Sequence, residues 1–434
     1  MRPMNVLTLI LAGGVGQRLH PLTANRCKPA VFFGGNQRII DFTLMNCVLS
    51  DFRRIHLLAQ CHSESLLRHC NEHWRCVSRE LGEFIHLVPP PLRGSDDVYR
   101  STADAVFRNL HLIEESRPDV VLILSGDHVY RADYRKFVAA HLEREAEVSV
   151  LTGEVDWKEA SAFGVVDLAE DGRIRNFVEK PSDPEPYASS NGTCSINLGV
   201  YCFDTNFLLA ALREDAANED SSHDFGGDVL PRSVIDAYVA SCPLEVIVPG
   251  GEAYWRDVGS IDSYFEASMD LLRRPAPFEL RDPRWSACSL FHERVPSRQA
   301  VSARIDGRLV RGTNLVGPSV EIRDAEVVNC VLSKNVRVEA GAELEDCILF
   351  PGAVVESGAK LHRAIVEEGV RIPEGTCRDE RLNKSEELPI SSRGVMVFHK
   401  TPSAPPVEVS RTTNEPKAVD FDAVGAQAKV EVTV

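Results

Sequence analysis

Near the amino terminus an apolar run, Val6 to Ala12, ends in Gly13-Gly14-Val15-Gly16, and two cations follow at Arg18 and Lys28. A buried strand running into glycines presents bare backbone N–H groups to a polyanion, with no side chain in the way. A cation a few residues on neutralises phosphate charge directly. The pattern reads as a site for a nucleoside triphosphate or its pyrophosphate. It is neither of two common phosphate loops. Leu19 stands where a dinucleotide fingerprint needs its third glycine, and no G-x-x-x-x-G-K-[ST] occurs. The plain alternative is a glycine-rich turn without a ligand. Arg18, Leu19, Pro21-Leu22-Thr23 and Lys28-Pro29 in one register count against it.

Two carboxylates are candidates for a hard cation, which prefers oxygen ligands. SGDHVY (125–130) puts Asp127 at the end of an apolar strand beside a glycine, and YWRDVGS (254–260) supplies Asp257. Each alone is equally a turn or helix-capping residue, and they chelate one metal only if folding brings them together. FVEKP (177–181) adds Glu179 and Lys180. A lysine before proline is expected in extended backbone, which aims its ammonium, although a solvated charge pair is the plain reading. Cys61, His62, His69, Cys70, His73 and Cys76 have zinc-like spacing in part, with His69 and His73 four apart. Their plain reading is a helix carrying scattered His and Cys.

The elements that must position these groups are legible from periodicity. Up to about residue 270, strand-like runs at 53–60, 119–127 and 147–155 alternate with helical patterns at 63–73, 103–115, 131–144 and 207–214. That alternation predicts an α/β domain with a mostly parallel sheet, whose ligands bind at the carboxyl ends of strands. The glycine loop and Gly126-Asp127 both fall at such ends. A Pro- and charge-rich stretch at 271–300 reads as a linker. Beyond it, 330–346, 347–363 and 364–375 align at an offset of seventeen, superposing Val331, Ile348 and Ile365, and also Gly341, Gly358 and Gly375. Apolar residues about six apart with glycines at corners predict hexapeptide coils of a β-helix over 301–385. From 386 to 434 the periodicity dies away and the composition predicts a mostly disordered tail.

Composition narrows the partners. The 434 residues carry a formal charge of −16, which argues against nucleic acid or an anionic membrane as the partner. No apolar stretch approaches membrane-spanning length. The twelve cysteines include no C-x-x-C pair and sit in apolar patterns, so a reducing, cytoplasmic location is expected.

The glycine loop, its continuation RIIDFTLMNCVLS (38–50), SGDH, FVEKP and YWRDVG together resemble the sugar-nucleotide pyrophosphorylases, and within them the glucose-1-phosphate adenylyltransferases. The resemblance spans about residues 5 to 390. It implies an N-terminal Rossmann-like nucleotide-diphospho-sugar transferase domain (1–270) followed by a left-handed parallel β-helix that serves assembly and regulation. It implies that ATP and glucose 1-phosphate give ADP-glucose and pyrophosphate for glycogen-type polymers. Catalysis would rest on Asp127, Arg18, Lys28 and Asp257, with Mg²⁺ on Asp127 and Asp257. Tyr99, Gly164, Glu179, Lys180 and Asn197 would bind glucose 1-phosphate, Asn197 standing where serine is usual. Gly13, Gly14, Gly16, Arg18, Lys28, Gln60 and Thr102 would bind the nucleotide. A homotetramer with small-molecule allosteric effectors is implied as well.

Departures from the family pattern occur at Val15, at Pro91 and Leu92 where an adenine-reading amide is usual, at Val98, and at Asn25 where some members bind an activator through lysine. Two other readings therefore stand beside the first. One is a pyrophosphorylase for another base or sugar 1-phosphate. The other is a non-catalytic regulatory subunit, against which the retained Asp127, Lys180, Asp257 and Arg18 argue. An acyltransferase role for the β-helix would rest on His362, which the repeat alignment places facing solvent.

Overall fold

The apolar run at the amino terminus is the central strand of the first domain because both of its faces are covered. In the computed structural model, Leu7 and Leu9 enter one hydrophobic cluster while Val6, Ile10 and Ala12 enter another on the opposite face. A strand buried on two sides reads as a continuous apolar run, which is how it appears in the sequence. The structure describes residues 4–14, 16–60, 62–74, 76–90, 98–245, 253–278, 280, 296–305, 307–378 and 389–400.

The main sheet contains β1 (Val6–Ala12), β2 (Arg54–Ala59), β3 (Phe84–Val88), β4 (Val120–Ser125), β5 (Val148–Asp156), β6 (Gly164–Leu168), β7 (Ile174–Glu179), β8 (Thr193–Asp204) and β9 (Val239–Pro243). Its order is β7-β6-β8-β4-β1-β2-β3, with β5 paired to β8 and β9 to β5. The half carrying the glycine loop is parallel: β1 pairs with β2 and β4, and β2 with β3. Antiparallel β8, β6 and β7 extend it beyond β4. The carboxyl ends of β1 and β4 are therefore neighbours, and they deliver the glycine loop and Asp127 to one edge.

The expected single helix at 103–115 is two, Thr102–Phe107 and Leu110–Ser116. The break lies at Asn109, whose amide donates to Ala105 O and to the Tyr99 hydroxyl.

Beyond the first domain a hairpin of Ser297–Ile305 and Arg308–Val316 opens the second, so its first strand starts before the expected residue 301. The rest of the expected 271–300 linker lies largely outside the described residues. Parallel strands then stack at the repeat offset: Val331 beside Ile348 beside Ile365 on one sheet, and Val338 beside Val355 beside Ile372 on another. Asp324, Gly341, Gly358 and Gly375 all have positive φ, which marks one corner of successive coils and explains the recurrent glycine there.

The expectation of a disordered tail from 386 needs one correction. Met396–Phe398 is a strand paired in parallel with Ala364 to Val366, and Val395, Met396 and Val397 are buried. This short apolar run was hidden among polar neighbours. Residues 401–434 lie outside those described.

Candidate active site

Lys28 begins a short 3-10 turn with Pro29 next to it, and its side chain is 6% exposed. Its Nζ donates to Asp127 Oδ2 at 2.9 Å and to Asp257 Oδ1 at 2.8 Å. The meeting arises because Trp255–Asp257 pairs antiparallel with His128–Tyr130, which places Asp257 opposite His128 and next to Asp127. The two carboxylates are about a quarter exposed, at 27% and 24%, so they face the opening while the ammonium lies beneath. Burial pushes the Asp127 carboxyl up, but Lys28, with His128 and the Ser125 hydroxyl, holds it well below the usual range. Burial opposes the charged form of Lys28 too. The carboxylates of Asp127 and Asp257 outweigh it and raise the ammonium.

The residues expected to receive phosphate surround this triad. Gly16 has φ +65° and its carbonyl accepts from the Thr23 hydroxyl at 3.0 Å, folding the loop back toward Lys28. The space beside the Cα of Gly14 is open, with no heavy atom within 4 Å of where a side chain would start. Gln60 lies against Gly13, its Oε1 3.3 Å from where a Cβ there would sit. Arg18 reaches the same region from its own turn: a Cβ on Gly259 would sit 2.8 Å from Asp257 Oδ2 and 3.1 Å from the Arg18 guanidinium. The structure thus brings Gly13, Gly16, Arg18, Lys28, Gln60, Asp127 and Asp257 to one edge of the sheet.

The residues expected at a sugar site divide. Glu179 ends β7 opposite Gly164, and its carboxylate lies in a slot between two glycines. A Cβ would be 2.7 Å from Glu179 Oε2 at Gly164 and 2.6 Å at Gly226, so both positions require glycine for this approach. Gly226 belongs to the SSHDFGGD segment, for which the sequence offered no role. Asp224 shapes it by accepting from the N–H groups of Gly226 and Gly227, both at 3.0 Å. Thr102 donates its hydroxyl to Asp224 at 2.7 Å and accepts from Phe225 N at 2.9 Å, so its side chain is committed inside the protein. Tyr99 is likewise committed: it is buried in the core and its hydroxyl accepts from Asn109 at 2.9 Å.

Lys180 is paired with Glu179 and has an exposed side chain. Its backbone is not extended as expected before proline. It has φ +46°, and its N–H donates to Phe163 O at 3.0 Å, which turns the chain as β7 ends. Asn197 donates to the Tyr201 hydroxyl and accepts from Gly199 N, at 2.9 and 2.8 Å, across a bulge in β8.

The His and Cys run is no zinc cluster in its described part: buried His69 contacts Asp41 Oδ1 at 2.5 Å, an oxygen that also accepts from the Trp74 indole at 2.8 Å. Cys61 lies outside the described residues. Residues that the sequence did not single out are Ser125, His128 and Asp224. The nearest signal was their place in the SGDH and SSHDFGGD runs.

A divalent cation fits this donor set. Two carboxylates converge on the Lys28 ammonium, and each keeps about a quarter of its side chain exposed, at 27% and 24%. Among the described residues no third His, Cys, Asp or Glu completes an all-protein cage. The remaining ligands would come from phosphate and water, as is common for magnesium sites.

The profile of the nucleotidyl transferase family matches residues 7–274, and that of the GlmU-like C-terminal hexapeptide matches 297–398. The glucose-1-phosphate adenylyltransferase 2 of Vibrio parahaemolyticus is 42% identical over 400 residues, which cover 91% of this chain and 98% of the relative. That of Vibrio cholerae is 40% identical over 399 residues, with 91% and 97% covered. The glucose-1-phosphate adenylyltransferase of Methylococcus capsulatus is 38% identical over 392 residues, with 90% and 92% covered. The parallel sheet edge with its glycine loop, the paired aspartates and the stacked coils behind them agree with these likenesses: the chain belongs to the glucose-1-phosphate adenylyltransferase family of nucleotidyltransferases.

Proposed function

We propose that this chain joins ATP and glucose 1-phosphate to form ADP-glucose and pyrophosphate, the activated sugar of glycogen-type synthesis. The observation that carries the proposal is the Lys28–Asp127–Asp257 constellation at 2.8 and 2.9 Å, set at the strand ends beside the glycine loop. A phosphate oxygen of glucose 1-phosphate attacks the α-phosphorus of ATP. The bond to the bridging oxygen breaks, and pyrophosphate leaves with the electron pair. The nucleophile is already an anion, so no general base is required and catalysis is positioning plus charge neutralisation.

The loop N–H groups and Arg18 receive the polyphosphate, and Arg18 also lies close to Asp257. Lys180 neutralises the sugar phosphate. Glu179, in its slot between Gly164 and Gly226, accepts from sugar hydroxyls. Asp127 and Asp257 would hold a divalent cation, for which we propose Mg²⁺ because both donors are hard oxygens. When bound, that ion neutralises charge on the triphosphate and the sugar phosphate. A homotetramer, small-molecule effectors and a cytoplasmic location belong to the same proposal as family expectations. The location is supported by cysteines that, among the described residues, are mostly buried.

A second reading rests on Pro91 and Leu92, outside the described residues, which stand where the family carries an adenine-reading amide. The test is pyrophosphate release with Mg²⁺ and glucose 1-phosphate, offering ATP, GTP, UTP, CTP and dTTP separately. Preference for ATP is the expected outcome. Preference for another base moves the chain to the second reading, and silence of folded protein with all five refutes both.

A further inference from the structure

His128 is not among the groups assigned above, yet it faces both carboxylates. Its Nε2 lies 3.5 Å from Asp127 Oδ1 and 4.0 Å from Asp257 Oδ1. We propose that His128 is a positioning residue that sets the separation of Asp127 and Asp257 to suit a divalent cation. The inference rests on the reading of those aspartates as the cation's ligands.

The oxygens divide between two supports. Lys28 takes Asp127 Oδ2 and Asp257 Oδ1 from beneath. Asp127 Oδ1 takes the Ser125 hydroxyl, and His128 Nε2 is the group that looks at Asp127 Oδ1 and Asp257 Oδ1 together. A lysine on a flexible stem fixes distance but not orientation, whereas a planar ring held on both sides fixes both.

The ring is held by packing. Its Nδ1 is buried and has no hydrogen-bond partner among the described residues, so packing alone fixes the far side of the imidazole. The Trp255 ring lies edge-on at 4.9 Å between centroids. The opposite wall is Gly199, where a Cβ would sit 3.3 Å from His128 Cε1 and 3.2 Å from Ser125 Cβ. Gly199 has φ +70°, in the bulge that Asn197 fastens by accepting from Gly199 N. The bulge in β8 thus shapes the place for His128, and His128 faces the carboxylates. Loss of partners that orient metal ligands typically costs metal affinity about ten- to a hundredfold.

The experiment is Mn²⁺ binding to the full chain without nucleotide, read by electron paramagnetic resonance, beside the KM for glucose 1-phosphate at saturating Mg²⁺. His128→Phe keeps a ring against Trp255 and removes the nitrogens. It is expected to weaken Mn²⁺ about ten- to a hundredfold while the KM for glucose 1-phosphate stays near wild type. His128→Gln, which returns a donor near the Nε2 position, should recover most of the affinity. A residue that merely supported the fold would move both quantities and would not be rescued by Gln. Unchanged Mn²⁺ affinity in His128→Phe, or no recovery in His128→Gln, overturns the role.

Should His128→Phe not fold, His128→Leu takes its place with the same two readouts: it also removes the nitrogens and should weaken Mn²⁺, whereas wild-type affinity there overturns the proposal. Wild-type protein that binds no Mn²⁺ either alone or with ATP present would overturn the metal site itself, a result distinct from failure of the His128 variants alone.

Discussion

Lys28→Met separates the two tasks a cation performs in this site. Methionine matches the lysine stem in length and keeps its packing, so the change is chiefly one of charge. Nζ lies 2.9 Å from Asp127 Oδ2 and 2.8 Å from Asp257 Oδ1. At an effective dielectric of about 20, each contact is worth about 6 kcal/mol before solvation. Desolvation of a nearly buried ammonium offsets most of that sum. Breaking a buried pair by removing one partner costs about 3–5 kcal/mol. Both aspartates are about a quarter exposed, so the lower end, about 3 kcal/mol, applies here.

The sign with pH follows from the same contacts. In the wild type the Asp127 carboxyl is held low, so its contribution is present above the unfolded carboxylate pKa and is lost only as pH falls through the native one. Without Lys28, two like charges face each other, and the pair takes up a proton more readily than in the unfolded chain. The variant should therefore be most destabilised near pH 8 and less so near pH 5. Urea denaturation at both values checks this, with and without Mg²⁺, since a divalent cation should restore part of the loss at pH 8. A variant as stable as wild type, or one whose deficit neither shrinks with acid nor responds to Mg²⁺, would refute the reasoning.

Two other outcomes are expected. Lys180→Ala removes an exposed cation paired with Glu179; loss of a charged hydrogen bond to phosphate predicts a KM for glucose 1-phosphate raised about ten- to a hundredfold, with the KM for ATP little changed. Initial rates with each substrate varied in turn measure this, and a larger effect on ATP would place Lys180 elsewhere. His56 is pushed down to about 4 by burial and then by His86, His111 and Arg54. Its native pKa lies below the unfolded one, so stability is intact above about pH 6.5 and drains away as pH falls toward 4. The full linkage is about 3 kcal/mol, and about 1–2 kcal/mol after solvent screening. His56→Leu should lose correspondingly less stability than wild type between pH 7.5 and 4.5 in urea melts, and parallel losses would refute the assignment.

The parts of this protein carried by short-range pattern were legible from the chain. β1 reads as an apolar run because it is covered on both faces, and the coils read as a repeat because each residue stacks on its counterpart seventeen positions away. Asp127 was legible because a strand end next to glycine is a local signal. What the chain could not show was partnership at a distance. Lys28 and Asp257 are 229 residues apart, and only the pairing of Trp255–Asp257 with His128–Tyr130 joins them. Tyr99 and Thr102 show the same limit: the Tyr99 hydroxyl accepts from Asn109 and the Thr102 hydroxyl donates to Asp224, contacts that no local pattern announced. Lys180 departs from its expected backbone because the Phe163 carbonyl captures its N–H, a contact made across β6 and β7.

The division into two domains, so clear in the repeat pattern, is less clear in the packing. One hydrophobic cluster runs from Val6 and Ile10 through Phe32 and Tyr264 to Leu315, Ile348, Phe350 and Ile365 of the coils. Phe350 lies 5.5 Å from the Phe32 ring and 6.3 Å from the Tyr264 ring, and the Tyr264 hydroxyl donates to Phe32 O at 2.5 Å. Arg26, two residues before Lys28, pairs with Glu367 and Glu368 at 3.2 and 3.3 Å. The helix Ile261–Asp270, which follows Asp257, is tied to the last coil through Asp262 with Ser391 and Ser392, and through Glu266 with Arg393. Both segments that supply the Lys28–Asp257 contact are therefore fastened to the β-helix. The coils thus share the core that holds this 2.8 Å ion pair in place.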